Sequence, residues 1–238
     1  MKFASRSKRY LAERKEVSEK YGPRELFSVT DQWPLYCGEA NLARFLAISD
    51  LVREVMDVPG HIAEFGCWKG ANTLFMAKLL RIYDPNGPKV IHAFDSFEGL
   101  TAFSEVDGKS KTRVGDYKGS LEELEDMIRL HEMQDEVLIH KGLIEKTLSG
   151  VLESDPALSF SLVYCDTDLF ESTRVILERM HPRLVKGGLI VFDQWNYENF
   201  PGEGVAANAF LADFGDRYQV EAVPFAKQPS MVIRKISY

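Results

Sequence analysis

Residues 61–70, His-Ile-Ala-Glu-Phe-Gly-Cys-Trp-Lys-Gly, restrict the possible folds of this chain more than any other stretch. A short apolar run ends in an acid and a glycine turn, and helix-forming residues follow at once. Ile62, Ala63 and Phe65 suit a buried parallel strand, while Gly66 and Gly70 let the backbone turn sharply and come close to a ligand. Glu64, at the strand's end, faces the crevice where open α/β sheets bind ligands. The Gly-x-x-x-Gly spacing lacks the middle glycine of the dinucleotide fingerprint, so a pyrophosphate has less help here and an adenosyl ligand without phosphates fits better.

From residue 61 to about 223, strand and helix patterns alternate, which calls for a mostly parallel sheet with helices on both faces. Strands are expected at 61–66, 89–95, 136–141, 160–166 and 187–193, with a last pair at 217–223 and 229–236. Helices are expected at 70–83, 120–132 and 171–182, and Gly187-Gly188 is read as the turn into the fifth strand. Leu42, Phe45, Leu46, Ile48, Leu51, Val52 and Val55 repeat with a helical period over 38–57, ending before Pro59-Gly60. Residues 1–57 therefore read as an N-terminal helical extension or lid, and 58–238 as the main domain. The polar stretch 101–119 reads as a mobile lid or a disordered loop.

A chain of 238 residues, 45% hydrophobic, can bury one sizeable core. Its net charge of −7 argues against a nucleic-acid partner, because phosphate binding needs a basic face. The local basic cluster of Lys2, Arg6, Lys8, Arg9, Arg14 and Lys15 reads as a solvated helix or tail. Cys37, Cys67 and Cys165 are far apart in sequence and suit a reducing cytoplasm. No stretch approaches 18 apolar residues, so no membrane partner is expected, and the reading is a soluble cytoplasmic protein.

The second strand ends at Asp95, within Phe94-Asp95-Ser96-Phe97-Glu98-Gly99. A carboxylate there can accept both hydroxyls of a ribose, or simply cap the next turn. Two further strands end in acids, at Asp166 with Asp168 and at Asp193 followed by Gln194. Clustered carboxylates repel unless something positive lies between them, and a magnesium ion held by Asp166, Asp193 and the Gln194 amide oxygen is one answer. Capping of the helix near Glu171 is the other.

The set Glu64-x-Gly66-x-x-x-Gly70, Phe94 to Leu100, Lys141-Gly142 with Lys146-Thr147-Leu148, Asp166 to Thr173, and Gly187-Gly188 followed by Asp193 resembles the macrocin O-methyltransferase family of the TylF type. The likeness spans roughly residues 58–195 and implies a three-layer, Rossmann-like class I methyltransferase fold with a seven-stranded sheet and an antiparallel last strand. It implies an S-adenosylmethionine-dependent, magnesium-assisted enzyme that methylates hydroxyls of sugars or similar small metabolites, with homo-oligomers common among lookalikes. Carried over, Asp166 and Asp193 become metal ligands and Asp168 the general base. Glu64, Gly66, Gly70, Asp95, Ser96, Phe97, Ser120, Lys141 and Gly142 fall to the cofactor. Gln194 departs from the pattern, since many members carry a second acid there.

Trp195 and Tyr197 are candidate substrate contacts, with plain packing as the alternative, and Ser120 is equally an N-cap. A nicotinamide-dependent oxidoreductase is the runner-up, disfavoured by the missing glycine and by the lack of an evident Tyr-x-x-x-Lys pair. A non-catalytic binding protein that keeps the fold is the third reading.

Overall fold

The computed structural model describes residues 8, 9, 12, 13, 15, 19–101 and 103–238. Lys2, Arg6 and Arg14 of the basic cluster lie outside the described residues. Two short helices, α1 (Leu26–Thr30) and α2 (Trp33–Tyr36), precede α3 (Glu39–Glu54). Then follow β1 (His61–Phe65), α4 (Ala71–Tyr83), β2 (Ile91–Asp95), α5 (Leu121–Leu130), β3 (Val137–Lys141) and α6 (Ile144–Ser154). The chain continues through β4 (Phe160–Cys165), α7 (Phe170–Met180), β5 (Leu184–Phe192), α8 (Gly202–Phe214), β6 (Tyr218–Ala222) and β7 (Met231–Lys235). The strands form one seven-stranded sheet in the order β3-β2-β1-β4-β5-β7-β6, parallel except that β7 runs antiparallel to both β5 and β6.

Alternation along each buried strand divides the core in two. Ile62, Ile91, Leu162, Tyr164, Leu189 and Val191 face α3, α4 and α5, packing on Ile48, Val52, Met76, Leu80 and Leu124. Ala63, Phe65, Phe94, Val163, Cys165, Ile190 and Phe192 face α6, α7 and α8, packing on Leu148, Ile176, Leu177 and Ala207. This is the three-layer arrangement expected, and α3 is built into it through Ala47, Ile48, Leu51 and Val52. Among the described residues no helix is long and apolar enough to cross a membrane.

Three details differ from the expectations. Strand β5 begins at Leu184, and Gly187, with φ of 85°, lies inside it, where the pairing with β4 shifts register. The Gly187-Gly188 pair is therefore an irregularity within the strand, not a turn before it. Helices α6 and α8 are additional: Gly150 interrupts the first pattern, and Gly202-Glu203-Gly204 makes the start of the second read as loop. Residues 101–119 contain a 3-10 turn at Gly108–Arg113 and are fastened to the body through Asp107, which is fully buried.

Candidate active site

Carboxyl ends of parallel strands gather at one edge of the sheet, and a cleft of about 280 Å³ opens there. Of the residues singled out in the sequence, Gly66, Asp95, Ser96, Gly142, Asp166, Asp168, Asp193 and Gln194 line it, together with Arg44, Trp68, Tyr117 and Glu145.

On the β1–β2 side, the loops are stitched together by Asp95. Its Oδ2 accepts the Trp68 amide at 2.7 Å and its Oδ1 the Phe97 amide at 2.6 Å. The capping alternative is thus realised, but a carboxylate has about four lone-pair sites, and two remain for a ligand. Trp68 and Phe97 both sit at positive φ, 49° and 59°, so these loops are held in a sparsely populated conformation. Glu64 is fully buried beneath the cleft. Its Oε2 accepts the Thr73 hydroxyl, and its Oε1 makes no hydrogen bond of ordinary geometry. Burial pushes its pKa up to about 7, with Thr73 and Arg44 pulling the other way.

Gly66, at φ of 87°, packs so closely that a Cβ there would stand 2.0 Å from the carbonyl oxygen of Asp166. Gly70 is required for a different reason: it is the left-handed N-cap of α4, and a Cβ would stand 2.2 Å from Leu124 Cδ1. Ser120 caps α5 by accepting the Glu123 amide at 3.2 Å, and Lys141 is exposed at the end of β3. Gly70, Phe97, Ser120 and Lys141 are not among the residues that line the cleft.

The acids lie on the other side. Asp168 is buried at 5% exposure, its φ is 62°, and its Oδ1 has no hydrogen-bond partner. Burial and the neighbouring Asp193 push its pKa up to about 7, against the pull of Arg113 and Arg44. Asp166 is pushed well up by burial and by Asp193. Asp193 is fully buried: Arg44 Nη2 approaches both of its carboxylate oxygens at 2.5 Å, and the Tyr164 hydroxyl donates to Oδ1 at 2.7 Å. The same Nη2 stands 3.7 Å from Asp166 Oδ2. The Gln194 backbone N–H donates to Glu203 Oε1 at 2.7 Å, and its side-chain Oε1 is buried without a partner.

This arrangement does not fit the expected magnesium site. A guanidinium already lies between the acids, contacting both oxygens of Asp193, and Oδ1 also accepts from Tyr164. The two aromatic candidates also separate. Trp195 is core, packed edge-on against Phe192 at 5.2 Å and 81°. Tyr197 is half-buried, stacked near Phe200 with Lys227 over its ring.

The topology, the glycine close approach and the row of strand-end acids agree with one family, whose pattern matches residues 7–221. The chain belongs to the macrocin-O-methyltransferase (TylF) family. It is 31% identical over 148 residues to the 8-demethyl-8-(2,3-dimethoxy-alpha-L-rhamnosyl)-tetracenomycin-C 4'-O-methyltransferase of Streptomyces olivaceus, covering 58% of this chain and 54% of that protein. Demethyldecarbamoylnovobiocin O-methyltransferase of Streptomyces niveus is 28% identical over 168 residues, 65% of this chain and 60% of that protein. The chain thus spans between half and three fifths of these curated relatives. Among solved structures, CalS11, a calicheamicin methyltransferase, superposes with a TM-score of 0.81 at 25% identity, covering 98% of this chain and 91% of that one.

Reading by family motif passed over Arg44, Thr73, Tyr164 and Glu203. Arg44 had a signal: it stands four residues before Ile48 and seven before Leu51, inside the apolar stripe of α3, where a charge needs a partner.

Proposed function

We propose that this TylF-family chain is an S-adenosylmethionine-dependent O-methyltransferase acting on a hydroxyl of a sugar or a similar small metabolite. The relatives' names point to sugar-bearing acceptors, and the carrying observation is Asp168. A buried carboxylate in a left-handed backbone, with one oxygen unpartnered, at the wall of a cleft is costly to maintain and available for work.

The cofactor reading rests on the donor set of the β1–β2 side. Asp95 has lone pairs left for ribose hydroxyls, Glu64 has a buried oxygen without a formed hydrogen bond, and Gly66, Ser96 and Gly142 line the same cleft. S-adenosylmethionine, when bound, supplies an electrophilic methyl group on a sulfonium. Asp168 takes the proton of the acceptor hydroxyl; a carboxylate whose pKa is near 7 matches the task better than one near 4. The Gly66 contact fixes the cofactor side against Asp166, so donor and acceptor are held in one geometry. From the N-terminal segment, Arg44 on α3 reaches into the cleft. Tyr117, Trp68 and Gln228, which also line it, contact the acceptor.

Methyl transfer from labelled S-adenosylmethionine to a panel of glycosides and nucleotide sugars tests this reading. Transfer by the wild-type chain and its loss in Asp168→Asn support it. Cofactor binding with no transfer to any acceptor in the panel favours the non-catalytic alternative.

A further inference from the structure

Three carboxylates crowd the floor of the cleft, and Coulomb repulsion makes that arrangement unstable without a positive charge. In the sequence alone a divalent ion is the simplest candidate. The structure holds another answer. Arg44 Nη2 contacts both oxygens of Asp193 at 2.5 Å and stands 3.7 Å from Asp166 Oδ2, with its side chain only 24% exposed. Tyr164 donates to Asp193 from within the sheet layer at 2.7 Å. Position 194, beside Asp193, carries a neutral amide whose oxygen is not recruited by any donor. To enter here, a magnesium ion would have to displace a guanidinium from a fully buried carboxylate and then draw its ligands to about 2.1 Å in octahedral order.

We infer that Arg44 is the resident cation of this site, taking between Asp166 and Asp193 the place that a divalent ion would occupy and leaving the site independent of metal. The inference rests on the acceptor side of the function proposed above. Arg44 acts as a positioning residue: it keeps the two acids together, and thereby sets the turn that carries Asp168. A guanidinium suits this role because its charge is permanent and delocalised and it presents five donors, of which the acids engage Nη2 alone. The charge arrives on α3, a helix embedded in the main core through Ile48, Leu51 and Val52, so it is held by packing and not by an exposed tail.

Titration of the full chain with manganese, followed by electron paramagnetic resonance, tests this directly, with the thermal shift by S-adenosylhomocysteine recorded in parallel. Wild type and Arg44→Lys should show no saturable manganese site at millimolar metal, and wild-type turnover should be unchanged by a chelator. Arg44→Ala should gain one site, lost again when Asp166→Asn is added, and its turnover in chelator should fall about tenfold or more, with partial recovery on adding magnesium. A saturable site in wild type that Asp166→Asn removes overturns the inference, as does an Arg44→Ala chain that binds S-adenosylhomocysteine normally yet gains no site. Failure of wild type to bind S-adenosylhomocysteine sinks the proposed function instead, and the manganese titration still decides the role of Arg44.

Discussion

The carboxylate of Asp107 accepts the amide of Phe170 at 2.9 Å, joining two points 63 positions apart in the chain. Its other oxygen accepts the amide and hydroxyl of Ser104, at 2.6 and 2.8 Å. The long polar segment between β2 and α5 is thereby fastened to the turn that carries Asp168. Replacing Asp107 by Ala leaves half-buried donors on Ser104 and Phe170 without this acceptor, which costs about 1–3 kcal/mol. The expected outcome is a melting temperature lower by several degrees and faster proteolytic cleavage within 101–119, read by calorimetry and limited digestion.

Asp168→Asn keeps the shape, and Asn tolerates the left-handed backbone that Asp168 adopts. Removing a buried carboxylate with one unpartnered oxygen should leave stability equal or higher, while turnover falls roughly 10²–10⁴-fold if Asp168 is the base. Steady-state kinetics with an unchanged S-adenosylhomocysteine affinity would match; turnover near wild type would remove Asp168 from that role.

Glu64 predicts a pH dependence of stability. Its folded pKa of about 7 lies above the ordinary value of 4.5, and burial is the main cause. The stability gained from its protonated form is therefore complete below about pH 4.5 and is lost as pH rises through about 7, amounting to ~3 kcal/mol. Glu64→Gln has no such titration. In the cofactor-free protein, unfolding in urea at a series of pH values should find the variant gaining on wild type between pH 5 and pH 8, on the order of that energy.

Trp195 and Tyr197 were equivalent candidates in the sequence and are not equivalent in the fold. Trp195→Ala opens the core beside Phe192 and should cost about 3–5 kcal/mol. Tyr197→Ala should change stability much less and raise the KM for the acceptor if its ring meets substrate. Equal destabilisation by the two would contradict the packing described.

The five parallel strands were legible because each is a short, largely apolar run closed by Gly or Asp, a pattern that survives in one dimension. The strand-end acids were legible for the same reason, since topology sends every parallel strand's carboxyl end to one edge. What lay between those acids was not. The cation belongs to Arg44, 149 positions before Asp193, and no local spacing reports a pair that distant. Helix α6 was hidden by Gly150, although Ile144, Leu148 and Leu152, four residues apart, are its buried stripe. Helix α8 was hidden by its glycine start and by an apolar character on all sides, which leaves no period to detect.

The bare Cα of Gly66 against the carbonyl of Asp166 has a consequence for how such a protein diversifies. The two halves of the cleft share a party wall one backbone thick. The loops after β2 and β5 can vary without touching this contact, but the wall itself leaves no room for a side chain. A side chain at position 66 would shift the turn after β1 and the acid turn after β4 at a stroke.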